Sequence, residues 1–286
     1  MINKIRAVWE FTRASFSNNG FDIDTAYQLK EAAKNCLIYI DYSEKNFDAE
    51  NFEDFISDIL GVYSTIISYH ESIYFLCLAG HGLNSSVLLR TQLEAYLIFY
   101  YLISPKTNLK EVEERVNFYR DWMMVRMHLN SKKSKNFELF TINPEHASYL
   151  IAVEENYNFV KNKYKATPDL FKKLEESQSF LKDKKQVAKE ADIESLYMSI
   201  FSETSATVHI ADISDRKIHI MDEDFEGYRY EFSSNDKSML VSGISNILLI
   251  KAMSGFLEFF EIPMSVKEKI FKKIALAKRD QAILDD

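Results

Sequence analysis

Seven glycines and four prolines are all that 286 residues hold of the two strongest backbone breakers. That is about 4% of the chain, against an average near 12%. Hairpins and βα loops draw on these residues at most turns, so a chain so poor in them is pushed toward long helices joined by few turns. The expected class is all-α. Hydrophobic residues at 47% and charged ones at 27% match soluble globular averages and exclude a disordered or low-complexity chain. The length allows one large helical domain or two smaller ones.

Apolar positions recur at three- and four-residue spacing almost throughout. The spacing predicts ten helices, at about 4–16, 23–41, 48–79, 83–103, 108–137, 144–165, 168–182, 187–212, 236–260 and 264–282. Gly80-His81-Gly82 breaks one long pattern, and Pro105 and Pro263 close others, because the residue before proline avoids the α region. One stretch departs from the pattern. From Lys217 to Phe232 apolar and polar residues alternate around Gly227, which predicts a short β-hairpin or an ordered loop. No repeat at a fixed period argues for a solenoid. The helices on both sides of the Lys-rich stretch 166–190 still need apolar partners, so a single domain over 1–286 is expected. It would comprise N-terminal helices over 1–47, a central bundle over 48–212, and a hairpin or loop with two helices over 213–286.

Thirty-five basic against 43 acidic residues give a net charge of −8, which disfavours non-specific adhesion to nucleic acid or anionic membranes. The balance shifts along the chain, with 12 basic and 17 acidic groups over 1–130, 12 and 9 over 131–190, and 11 and 17 over 191–286. The basic middle holds Lys132, Lys133, Lys161, Lys163, Lys182, Lys184, Lys185 and Lys189 among others. They alternate with Glu154, Glu155, Glu175 and Glu176, so a solvated helix face is the plainer account and a nucleic-acid groove the alternative. Cys36 and Cys77 lie in apolar helical patterns without metal or disulfide spacing, which fits a reducing cytosol. Glu10 and Arg13 interrupt the stretch where an export signal would need apolar residues, and no uncharged run suits a bilayer span, so neither export nor membrane contact is expected.

Two segments carry candidate chemistry. The first, LNSSVLLRTQLEAYLIFYYLI over 83–103, is apolar nearly all round and predicts a buried central helix. It carries Arg90 and Glu94, a pair expected to be desolvated and so to be either a structural ion pair or an arginine awaiting an anion in a cleft. The second, IESLYMSIFSETSATVHIAD over 193–212, places Ser202, Ser205 and His209 within a narrow arc of one helix face. A histidine held in the core by a serine explains that face, and a proton-transfer role is the sharper reading. Serine-nucleophile chemistry is disfavoured because no Gly-x-Ser-x-Gly elbow occurs. Neither metal-ligand spacing nor a Gly-rich phosphate loop is present, so no cofactor is expected. Trp9, Trp122 and the many Phe and Tyr residues are at helical spacing and read as core.

GHGLNSSVLLRTQLEAYLIFYYL, followed some hundred residues later by LYMSIFSETSATVHIAD, resembles a widespread group of uncharacterised bacterial all-helical proteins. That group has an Arg-x-x-x-Glu helix and a later helix with Tyr, Ser and His. The resemblance spans roughly residues 75–212 and implies Arg90, Glu94, Tyr197, Ser205 and His209 as the matching positions. The chain is also distantly similar to the HEPN class of helical bundles, which includes antiviral and toxin ribonucleases. Those place a His four to six residues beyond an Arg on one helix, whereas here Arg126 is two residues from His128, Arg120 eight, and Arg216 three from His219. These readings give a cytosolic helical interaction or ligand-binding module, in a stress or phage-defence setting implied by the resemblance. The alternative is a metal-independent ribonuclease with Arg90 on phosphate and His209 as acid or base. A homodimer or a protein partner is compatible with the module; RNA enters only with the nuclease.

Overall fold

In the computed structural model, described over residues 23–37, 52–104, 108–134, 144–208, 217–222, 225–230 and 235–262, several of the scarce breakers stand at helix ends. Pro144 and Pro168 open helices, where the missing N–H costs nothing. Gly80, at φ 76°, ends another, and the His81 N–H reaches back to the Leu76 carbonyl at 2.8 Å. Nine helices form among the described residues: α1 Ile23–Leu37, α2 Phe52–Leu78, α3 Gly82–Ile103, α4 Leu109–Ser134, α5 Pro144–Lys163, α6 Pro168–Glu176, α7 Lys184–Glu190, α8 Glu194–Val208 and α9 Asn235–Phe259. Between α8 and α9, strands β1 Lys217–Asp222 and β2 Phe225–Tyr230 pair antiparallel, with Lys217 opposite Tyr230 and Asp222 opposite Phe225. The helices expected over 4–16 and 264–282 lie outside the described residues.

The centre is a four-helix bundle in which α2 and α9 pack on each other and each also packs on α1 and α3. Buried residues recur along α2 as Ile56, Ile59, Tyr63, Ile66, Ile67, His70, Ile73 and Cys77, one stripe of a 3.6-residue period. Its contacts fix direction. Tyr63 stacks on Phe256 at 4.5 Å while His70 meets Ser245, so α2 and α9 run antiparallel. The Tyr63 hydroxyl donates to the Ala33 carbonyl and His70 Nε2 meets the Ala26 carbonyl, which sets α1 antiparallel to α2 as well. Gly255 permits close approach of α9 to α3, where an added Cβ would stand 3.1 Å from Ile103 Cδ1. By length and composition α9 is apolar enough to cross a bilayer, from Ser238 to Phe259, yet two thirds of that window is buried in the bundle, as a core helix would be.

A second, smaller core of Val125, Tyr157, Val160, Phe171 and Leu174 joins α4, α5 and α6. Arg120 ties α4 to α2 through two contacts with Asp58, at 2.8 and 2.7 Å. The helix expected over 168–182 stops at Glu176. There the carbonyls of its last turn are taken by side chains of α4, Arg126 on Leu174 and Glu175 and Trp122 on Ser177. Phe180 then drops among the rings of Tyr101, Phe118, Tyr119 and Trp122.

The helix expected over 187–212 is two helices, α7 and α8. Asp192 adopts φ 55°, and the Ile193 N–H bonds back to the Ala188 carbonyl at 2.9 Å, a left-handed helix cap built without glycine. Glu261 repeats the device after α9, with φ 50° and the Ile262 N–H on the Leu257 carbonyl at 3.0 Å. A side chain with a Cβ in that region costs about 1–2 kcal/mol that glycine does not incur. Exposed Glu261 is therefore expected to be improvable: Glu261→Gly should gain about 1 kcal/mol in urea unfolding, and a loss would show that its side chain makes a stabilising contact.

Candidate functional site: the seam of α3, α7 and α8

Helix α3 is not enclosed on every side. Leu89, Gln92, Leu93, Tyr96 and Leu97 are buried, but Val87, Arg90, Thr91, Glu94 and Ile98 form a stripe that remains partly open. Arg90 and Glu94 stand on that stripe with side chains 29% and 35% exposed, Arg90 Nε lying 3.8 Å from Glu94 Oε1. The expected desolvated pair is thus corrected. Helices α7 and α8 cover this edge of α3 without sealing it, and 3.8 Å is too long for a hydrogen bond.

The short ion pair of Glu94 goes elsewhere, to Lys184 Nζ at 2.9 Å. Lys184 opens α7, whose N-cap Asp183 accepts the Gln186 N–H at 2.8 Å. A lysine in the first turn opposes the helix dipole, and both lysines there find a carboxylate outside α7: Lys184 pairs with Glu94, and Lys185 with Glu194 at 3.4 Å. From α8, Tyr197 and Phe201, four residues apart, pack ring against ring at a tilt, 4.5 Å between centres. The Arg90 guanidinium lies 4.4 Å from the centre of the Phe201 ring and Lys184 Nζ lies 5.7 Å from it. Two cations therefore share one ring and one carboxylate. Among the described residues the terminal nitrogens of Arg90 and the hydroxyl of Tyr197 have no hydrogen-bond acceptor. Partial burial raises the Tyr197 phenol, with the carboxylates of Glu94 and Asp183 adding to the effect and Arg90 opposing it, so the hydroxyl keeps its proton and can donate.

Of the residues singled out from sequence, the structure brings Arg90, Glu94 and Tyr197 together. Ser202 is exposed on α8; Ser205 belongs to α8, but its side chain is outside the described residues, as is His209 altogether. Lys184 and Phe201 were not anticipated, the first being absorbed into a basic run and the second into the helical aromatic pattern. Asp183, an N-cap residue, is the local signal that would have marked the start of α7 and so the place of Lys184.

Two other buried polar groups, Asp121 and Tyr157, are occupied with packing. Asp121, 4% exposed at its side chain, accepts from Lys163 Nζ at 2.7 Å and the Tyr164 hydroxyl at 2.8 Å, joining α4 to the end of α5. Tyr157 stacks on His128 at 3.8 Å and donates to Glu175 at 2.7 Å; burial and that carboxylate push its phenol up to about 12. Among the described residues no group of three His, Cys, Asp or Glu side chains is placed to hold a metal ion.

A family model described as a family of unknown function (DUF5677) matches residues 57–227, which covers α3, α7, α8 and every residue of the seam. Helices α1 and α9, which complete the bundle around α2, lie outside the matched residues. No curated protein and no solved structure matches the chain.

Proposed function

Because the chain belongs to the DUF5677 family of unknown function, we propose a reading built from its own seam: a helical module that binds an anionic ligand through Arg90, Lys184 and Tyr197. The observation that carries it is the posture of Arg90. Its guanidinium is held over the Phe201 ring with its terminal N–H groups unspent, while Glu94 is engaged by Lys184. An arginine already packed against a ring loses less freedom when it binds, so the fork is partly set in place before any ligand arrives. The setting we propose, a bacterial stress or phage-defence response in the cytosol, rests on the sequence resemblance alone.

A second reading, the metal-independent ribonuclease, is favoured by one feature: Lys184 stands beside Arg90, where a phosphate backbone would need a second cation. Cleavage also needs a proton-transfer partner, the role given above to His209. Incubation of the purified chain with a labelled RNA pool without metal separates the two. The module reading expects intact RNA with the wild type, Arg90→Ala and His209→Ala alike. Cleavage by the wild type that both folded variants lose would overturn it.

A further inference from the structure

We propose that the ligand of this seam is a tetrahedral oxyanion carrying close to two negative charges, inorganic phosphate or the phosphoryl end of a phosphomonoester. This rests on the module reading above and names the chemistry of its ligand.

The first argument is the number and origin of the donors. Arg90 offers its terminal N–H groups from α3, Lys184 keeps protons beyond the one aimed at Glu94 from α7, and Tyr197 offers a hydroxyl from α8. The three donor sets come from three helices grouped around the Phe201 ring. A carboxylate has two oxygens in one plane and is satisfied by the arginine fork alone; a phosphoryl group has three or four oxygens in a tetrahedron and can use all three.

The second argument is charge. Arg90 and Lys184 stand against Glu94 and, beside Tyr197, Asp183, so an anion is drawn by the two cations only where its oxygens reach them directly. Glu94 cannot leave without freeing Lys184, so an incoming anion meets its repulsion. A singly charged anion held by one fork recovers little of that cost. A doubly charged one, held by two cations and a phenol, recovers more, because charge-assisted hydrogen bonds are roughly twice as strong as neutral ones. Glu94 repels every anion in proportion to its charge, so the preference for a dianion rests on the additional charge-assisted hydrogen bonds it can accept from Lys184 and Tyr197. The apolar flank of the stripe, where Val87 on α3 and Met198 on α8 are 38% and 49% exposed, gives the carbon portion of an ester a surface to lie on.

The test is calorimetric titration of the full chain with inorganic phosphate, phenyl phosphate, dimethyl phosphate and acetate at matched ionic strength, with helicity of every variant checked by circular dichroism. Phosphate and phenyl phosphate are expected to bind, with dimethyl phosphate and acetate at least about tenfold weaker. Arg90→Ala should weaken phosphate by about tenfold or more. Arg90→Lys, which keeps the charge and loses the fork, should still lose several-fold. Glu94→Gln is the decisive variant: removing the repulsion should tighten phosphate, whereas a merely structural Glu94 would give no change or weaker binding. Phenyl phosphate binding more tightly than inorganic phosphate would identify the ester as the source of the group, and equal affinity the free ion; both are expected forms of the proposal. Binding unchanged in Arg90→Ala, no binding of either phosphate, or unchanged or weaker binding in Glu94→Gln would overturn it. Preference for acetate would overturn the ligand class and leave the module standing. RNA cleavage lost in Arg90→Ala and His209→Ala would remove the module itself.

Discussion

Phe256→Ala is expected to cost about 3–5 kcal/mol, a third or more of the stability of an ordinary domain. Phe256 is fully buried, stacked on Tyr63 and packed at a tilt against Phe260, at 4.5 Å each, where α9 crosses the middle of α2. Truncation removes the ring and leaves a cavity among side chains that are themselves fixed, Tyr63 by its bond to Ala33 and Phe99 by its contact with Tyr63 at 5.5 Å. The lost contacts cannot be recovered by a small collapse. Urea unfolding followed by circular dichroism should show a lower midpoint at an unchanged slope. A cost under about 1 kcal/mol would mean that α9 is not part of the core.

The second large effect belongs to acid. The Ala26 carbonyl can only accept, so His70 Nε2 carries the proton that bonds to it at 3.0 Å, and Nδ1 accepts from the Ser245 hydroxyl at 2.8 Å. The ring is neutral and sealed. Burial lowers its pKa to about 4, the bonds to Ala26 and Ser245 only partly opposing it. A folded pKa below the unfolded one means that stability from this group is complete above about pH 6.5 and is lost as pH falls. Between pH 6.5 and 4 the unfolded chain takes a proton that the fold refuses, a loss of about 3 kcal/mol; below that the folded ring is protonated as well and the loss stops. Unfolding free energies of wild type and His70→Gln should therefore diverge in slope across that range, the variant being the flatter. The neighbouring Lys30–Glu71 pair, at 2.9 Å, is present in both and cancels. Parallel curves would show that His70 is reached by solvent.

The helical class and most helix positions were legible because they depend on spacing and on a few breakers that act locally. Gly80 announces the end of α2, since its positive φ is what glycine is chosen for. Asp192 makes the same turn and announces nothing: Ala-Lys-Glu-Ala-Asp-Ile-Glu-Ser reads as continuous helix, and the turn is imposed by burial of Ala188, Ala191 and Ile193 around it. The end of α6 was hidden for a related reason, being set by Trp122 and Arg126 some fifty residues earlier. At the site, Arg90 and Glu94 were conspicuous because charges stand out in an apolar helix. Their exposure was not, because it depends on where α7 and α8 stop short, which no periodicity within α3 records. Lys184 matters through its reach to Glu94 and Phe201 through the cation it supports, and both facts are tertiary.

The bundle also imposes an order in time. His70 and Ser245 are 175 residues apart, and at a synthesis rate of roughly 5–20 residues per second α2 waits about ten to thirty-five seconds for the partner that covers it. During that interval α2 and α3 emerge with their shared apolar flank uncovered, and the contacts that close it carry a large loop-closure cost. A growing polypeptide in this condition is a natural client for holding chaperones. Synonymous changes that slow decoding before the α9 codons would lengthen the wait and raise the aggregated fraction without altering one residue of the finished fold.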